Sequence, residues 1–267
     1  MDKPKIALIS TVINDELYQK SSLLFPKNIQ KYVIKGKNGM HGLDSIFFMM
    51  KKLKDKDIDW LIMADEDVLF LNSIGIYDVI ENMEKNNYTL CGVRDGGVIP
   101  NRTYSPYLIN TFFSIINFKE LKSIWNKKEV LKNQYILDNE FDDDLLDLKG
   151  KYDVKSLYEP YFCFYFWLKR KGKKILFLDA NAPFEDQITT LVFDTNQNEL
   201  LYHTWYARSY GNNKKHTERI DKIFELVNFN LGQNIAPVIF KDRTFFIRKF
   251  IRKLSKRVEM KLQIIFK

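Results

Sequence analysis

With 267 residues, 45% of them hydrophobic and 15% aromatic, the chain can bury a sizeable core and does not read as disordered. Its net charge of +8 sits at one end: residues 241–267 hold ten Lys or Arg against Asp242 and Glu259, leaving the first 240 residues balanced at 32 charges of each sign. Two cysteines, Cys91 and Cys163, both in apolar surroundings, exclude a disulfide framework and a cysteine zinc site.

The amino terminus, Met1 to Lys5 before a short apolar run, does not have the pattern of a signal peptide. No apolar run approaches the ~20 residues of a membrane span, and a cytosolic protein is expected. Lys5 to Thr11 reads as a first strand, apolar on both faces, with Asn14, Asp15 and Glu16 able to start a helix. Ile29 to Ile34 reads as a second strand and runs into a loop, Gly36 to Gly42, with three glycines. Glycine permits close backbone approach to a ligand, but the loop has no phosphate-binding pattern. Leu43, Ile46, Phe47, Met50 and Leu53 recur at helical spacing, with lysines in the last turns where cations suit the helix dipole. The alternation of strand and helix predicts right-handed crossovers and a mostly parallel sheet.

Trp60 to Met63 is then a short buried strand that ends in Asp65-Glu66-Asp67, with a second apolar run directly after it. Three anions at a strand end repel one another. A solvated acidic turn would tolerate them; a divalent cation with oxygen ligands would neutralise them and could also bind phosphate. Ligands of open α/β sheets collect outside the carboxyl ends of strands, which favours the cation.

Beyond it, Ile74 to Met83 reads as a helix and Tyr88 to Val93 as a strand ending in Arg94-Asp95, where Arg94 either binds phosphate or pairs with Asp95. Asn110 to Asn117 is a strand and Phe118 to Trp125 a helix. The acidic cluster Asp138 to Asp144 is scattered among polar residues and reads as a solvated loop or helix start. Tyr161 to Leu168 is apolar or aromatic all round, which predicts a buried helix with Glu159 at its amino terminus and Gly172 at its end. Lys174 to Leu178 is a further strand, Glu185-Asp186 lies in a loop, and Leu200 to Tyr206 is a strand with His203 embedded in it. His203 is either a satisfied core histidine or a metal ligand.

In this order the motifs resemble those of the A-type, metal-dependent nucleotide-sugar glycosyltransferases. Asp65-Glu66-Asp67 matches a DxD motif, Asn110-Thr111 is similar to the acceptor-side strand, and His203 fits the late metal-binding histidine. Glu159, followed by Lys169-Arg170-Lys171-Gly172 and a strand, is similar to the family's acidic helix-start segment. Position 160 is Pro where a second acid is expected, and the literal Glu185-Asp186 pair comes one strand later. The resemblance covers roughly residues 5–210. It implies an α/β fold with a Rossmann-like, mostly parallel central sheet flanked by helices; the chain then divides into a catalytic domain over 1–240 and, from the spacing of its residues, a C-terminal amphipathic helix over 241–267.

It also implies a hexosyltransferase-type glycosyltransferase that moves a sugar from a nucleotide-diphosphate donor to a glycan or lipid-linked acceptor, in bacterial surface-polysaccharide or lipooligosaccharide biosynthesis. Asp65, Asp67 and His203 would hold Mn²⁺ or Mg²⁺. Glu66 would orient the ribose or the metal site. Thr11 and Asn38 would accept base and ribose, and Arg94 could contact phosphate. Glu159, with Asp186 as the alternative, would be the general base of an inverting enzyme. A metal-dependent nucleotidyltransferase or phosphohydrolase could use the same strand-end carboxylates, but the first strand lacks the nucleophilic Asp or glycine loop such enzymes use.

From Phe245 onward, Ile247, Ile251, Leu254, Val258, Leu262 and Ile265 recur at helical spacing among Arg248, Arg252, Lys253, Lys256 and Arg257. This cationic amphipathic helix suits the anionic, cytoplasmic face of the inner membrane, or else packs on the domain with a solvated basic face. The balanced body has no basic stripe or nucleic-acid motif, so no nucleic-acid partner is expected.

Overall fold

The computed structural model describes residues 3–227 and 235–265, with side chains through Ser255. Strand β1 (Ile6–Val12) leads through helix α1 (Asp15–Ser21) to β2 (Gln30–Lys35), and α2 (Leu43–Leu53) returns the chain to β3 (Trp60–Ala64). After the acidic turn come β4 (Val68–Phe70), α3 (Gly75–Lys85), β5 (Tyr88–Arg94) and β6 (Ile109–Asn117). Helices α4 (Phe118–Ile124), α5 (Lys127–Leu131) and α6 (Phe162–Arg170) precede β7 (Lys174–Phe177). Then follow β8 (Ala180–Asn181), β9 (Thr190–Phe193), β10 (Glu199–His203), α7 (Lys214–Glu225), β11 (Val238–Phe240) and α8 (Phe245–Ile265).

Seven strands form the central sheet in the order β11-β2-β1-β3-β6-β5-β7. All are parallel except β6, which runs antiparallel to both β3 and β5. The mostly parallel α/β architecture is the one expected from the sequence. The reversed β6 departs from an all-parallel sheet, because β5 reaches it through a loop and no helix crosses over.

Both faces of the sheet are covered, so its central strands carry near-continuous apolar runs. Alternate residues of β1 and β3 point to opposite cores. Leu8 and Ile62 join α1, α3 and α7 through Leu17, Ile76 and Ile220. Ala7 and Leu61 join α2 and α6 through Ile46 and Phe162. All seven residues Phe162 to Leu168 of α6 are buried, as the apolar run predicts.

A second sheet, β4-β10-β9-β8, is antiparallel and packs into the first core. Its first strand is the apolar run that follows the acidic triplet, so the three carboxylates lie where the chain passes from one sheet to the other. Chain order reverses between β1 and β3, since β2 lies on one side of β1 and β3 on the other. That is the switch point at which an open α/β sheet leaves a crevice. Among the described residues, no helix is long and apolar enough to cross a membrane.

Candidate active site

A cleft of about 1170 Å³ opens outside the carboxyl ends of β1 and β3, and Thr11, Asp65, Asp67, Arg102, Glu159 and His203 are among its lining residues. The acidic turn is built by backbone bonds: the Asp65 N–H donates to the Phe112 carbonyl at 2.9 Å, and the Val68 N–H closes a turn onto the Asp65 carbonyl at 3.2 Å. The chain then enters β4, which pairs with β10 in a register that sets His203 opposite Val68. The Thr204 N–H donates to the Asp67 carbonyl at 3.0 Å. This pairing brings His203 beside the acidic turn across well over a hundred residues of sequence.

Asp65, Asp67 and His203 each present a ligand atom, and the three atoms lie within 4.8 Å of one another. The His203 Nε2 is 3.2 Å from the Asp67 Oδ1, with both side chains only 4% exposed. The imidazole stacks on Phe112, ring centroids 4.2 Å apart at 9°, and its Nδ1 has no hydrogen-bond partner among the described residues. The sequence left His203 open between core residue and ligand; its placement supplies a ligand atom for a cation.

Burial first, and then the charges of Glu66 and Asp67, hold the Asp65 carboxyl well above the usual carboxylate range, against the opposing charge of Arg208. Two converging carboxylates and one imidazole, with Asp65 reluctant to ionise, fit a divalent cation. The carboxylates suit Mg²⁺ or Mn²⁺, and the imidazole is a transition-metal ligand.

Glu66 is 4% exposed and lines the cleft beside Asp65 and Asp67. Its Oε1 accepts from the N–H groups of Ile13 and Asn14, at 3.0 and 3.2 Å, and so ties the acidic turn to the end of β1. Burial and the Asp67 charge push its carboxyl up to about 7, although these backbone donors favour the anion.

Glu159 lies on the cleft wall just before α6. Its Oε1 accepts from the Arg102 Nη2 at 2.9 Å, and Arg102 also grips the fully buried Asp95 through Nε at 2.6 Å and Nη2 at 2.9 Å. Asp95 further accepts from the Asn110 Nδ2 at 2.7 Å and the Tyr161 hydroxyl at 2.9 Å. Burial and the Asp95 charge hold the Tyr161 phenol well above its ordinary value, so it stays a donor. The loop that brings Arg102 back is close-packed: a Cβ at Gly96 would stand 2.1 Å from the Tyr104 carbonyl oxygen.

Three residues singled out from the sequence are not among those lining the cleft. The Asn38 amide donates to the Asp242 carbonyl at 2.9 Å, joining the glycine loop to the chain before α8. The Arg94 guanidinium stacks 3.6 Å over the Phe177 ring and donates to the Pro106 carbonyl. Asp95, just past the end of β5, pairs with Arg102 instead. Asp186 accepts from the Ile188 N–H at 3.0 Å in an exposed turn. Of the two expected bases, only Glu159 is in the cleft. The Asp138–Asp144 segment is loop, as expected, but Glu140 and Asp143 pair with Arg170 and Lys169 of α6.

Reasoning from sequence missed Arg102, Arg208 and Trp205 as cleft residues, and Arg219 as their support. Trp205 and Tyr206 follow His203 with φ of 59° and 61°, left-handed values that cost non-glycine residues about 1–3 kcal/mol each. Arg219 of α7 holds this segment: its Nη2 donates to the Thr204 carbonyl at 2.5 Å and to that of Trp205 at 3.2 Å. No local pattern marks these residues, because each acts through partners remote in sequence.

No family model matches the chain, and no curated protein matches it. Solved structures overlap it at low identity. Mouse xyloside xylosyltransferase 1, apo form, is 12% identical over 67% of this chain and 86% of that chain, with a TM-score of 0.40. A glycosyltransferase involved in the glycosylation of the major capsid of PBCV-1 is 14% identical over 84% of this chain and 100% of that one, with a TM-score of 0.37. The mannosyltransferase PcManGT from Pyrobaculum calidifontis, in complex with GDP-Man and Mn²⁺, is 8% identical over 46% of this chain, with a TM-score of 0.30, and this chain spans 47% of its length. At these scores the overlaps decide neither family nor reaction, and the chemistry rests on the residues of this chain.

Proposed function

We propose that the protein is a metal-dependent glycosyltransferase that moves a sugar from a nucleotide-diphosphate donor to a glycan or lipid-linked acceptor. The convergence of Asp65, Asp67 and His203 at the mouth of the sheet's switch-point cleft carries this reading. Those three residues would hold Mn²⁺ or Mg²⁺, which when bound supplies Lewis acidity to a leaving diphosphate.

The chain's own residues do the rest. Thr11, at the end of β1, lines the part of the cleft that would receive the nucleoside. Arg208, near enough to lower the Asp65 carboxyl, adds positive charge beside the diphosphate. Glu159 takes the proton of the acceptor hydroxyl if the reaction inverts, and Arg102, anchored on Asp95, fixes its position. We assign catalysis to residues 1–240 and a peripheral role to the basic helix over 241–267. From the resemblance of its motifs, the protein is a hexosyltransferase of surface-glycan synthesis working in the cytoplasm or at the cytoplasmic face of a membrane.

The test combines binding and turnover. Wild-type protein should be stabilised thermally by Mn²⁺ with a nucleotide-sugar, and should release nucleoside diphosphate on transfer or hydrolysis. Asp67→Asn should lose both responses while keeping its far-UV circular dichroism. Release of inorganic phosphate, or nucleotidyl transfer, would replace this reading with a phosphohydrolase or a nucleotidyltransferase. An unaltered Asp67→Asn enzyme would remove the central assignment.

A further inference from the structure

Helix α8 is oriented against the ordinary pattern of a surface helix, in which apolar residues face the body and polar ones face water. Phe245 is buried at its start, and the residues four and seven positions on continue that inner face. They are Lys249, whose ammonium donates to the Gly39 carbonyl at 2.5 Å, and Arg252, whose guanidinium donates to both oxygens of Asp44 at 2.9 and 2.8 Å. Both cations line the cleft. The inner face is thus largely polar.

The outer face is not. Phe246, Ile247, Phe250, Ile251 and Leu254 are 67, 59, 55, 55 and 43% exposed. At roughly 100° of rotation per residue, these five span an arc opposite Phe245, Lys249 and Arg252. A contiguous apolar strip on an exposed helix marks a surface that meets something else. Exposed Arg243, Arg248 and Lys253 flank it, with Arg248 partly balanced by Asp242.

We propose that this outer face of α8 docks on an anionic lipid surface. Apolar side chains enter the boundary between headgroups and acyl chains while the flanking cations meet the lipid phosphates. A second copy of the chain fits less well, because pairing two such faces would bring together two segments that each hold ten cations against two anions. The inner face of the same helix walls the cleft, so docking sets that wall beside the lipid headgroups. If the transferase reading holds, on which this step rests, the acceptor is a saccharide carried on a lipid and presented from the membrane.

The experiment uses the full chain and vesicles, and it reads sedimentation rather than turnover. Wild type should co-sediment with phosphatidylcholine vesicles containing about 30% phosphatidylglycerol and not with phosphatidylcholine alone, and added salt should weaken it. Phe250→Glu combined with Ile251→Glu should reduce partitioning by about tenfold or more, since two large apolar side chains no longer enter the lipid. Both sites are outside the cleft, so the thermal midpoint and the turnover of soluble substrates should stay at wild-type values. Arg243→Glu with Lys253→Glu should abolish the preference for anionic vesicles.

Wild type that stays in the supernatant with anionic vesicles overturns the proposal, as does a Phe250→Glu, Ile251→Glu variant that binds like wild type. A dimer in light scattering that this double variant dissolves assigns the face to a second copy and overturns it equally. If docking holds and nucleotide-sugar turnover fails, only the transferase reading falls.

Discussion

The Asp95–Arg102 pair allows a sharp test of how the acceptor side of the cleft is held. Arg102→Met keeps the aliphatic bulk and removes the guanidinium, leaving the Asp95 carboxylate at 0% exposure without its counter-charge. Breaking a buried pair from one side costs about 3–5 kcal/mol, most of it the burden of an uncompensated charge. Asp95 would keep the Asn110 and Tyr161 donors, at 2.7 and 2.9 Å, which places the loss near the lower end, at about 3 kcal/mol. For a chain of this size that corresponds to a fall of about 6–12 °C in the thermal midpoint, measurable by calorimetry and by urea denaturation. Asp95→Asn in the Arg102→Met background should recover much of the loss, because the amide removes the stranded charge; the double-mutant cycle isolates the coupling. An Arg102→Met protein within about 0.5 kcal/mol of wild type would refute the argument, since the pair would then contribute no more than a surface contact. Activity offers a second readout. Glu159 accepts from Arg102, so this variant should lose kcat more than it gains KM.

Glu66 predicts how stability depends on pH. Its folded-state carboxyl titrates near 7 against an ordinary 4.5, so the unfolded chain gives up that proton first as pH rises. Its contribution is therefore complete below about pH 4.5 and is lost as pH climbs to 7, an effect on the order of 3 kcal/mol that Glu66→Gln should flatten in urea titrations with EDTA present. Mn²⁺ should raise the thermal midpoint of wild type, and His203→Ala should weaken that response by about 10-fold or more in apparent affinity, read by a metal titration rather than by activity. Both thiols should resist alkylation in the folded protein and react at once in denaturant. Burial pushes Cys163 up to about 11 and raises Cys91 as well, so little thiolate exists at pH 8, and rapid labelling of native protein would contradict that. Arg219→Ala should release the Trp205–Tyr206 segment, seen as faster amide exchange at Thr204 and Trp205 and a weaker Mn²⁺ response.

Much of this protein is determined locally. Strands β1, β2, β3 and β5 are apolar runs of the right length between helical patterns, α2 shows its core face at helical spacing, and α6 announces its burial by being apolar on every side. The acidic turn is legible for the same reason, since three carboxylates between two apolar runs can only sit at an element's end. Local pattern does not specify which remote segments meet. The short strands β4, β8, β9 and β11 carry too few residues to show a period. Yet β4 pairing with β10 is what delivers His203 to Asp67, and a return loop of close-packed backbone delivers Arg102 to Asp95. The pattern of α8 established that it is amphipathic and basic through its described side chains, while Val258, Leu262 and Ile265 lie outside them. The direction of its apolar face depended on where Lys249 and Arg252 found partners on the glycine loop and α2. The sequence by itself therefore determined the elements with a clear apolar pattern and the chemistry at their ends. The tertiary structure decided which of those ends face one another, because contact between distant segments depends on packing and register that no single window of residues contains.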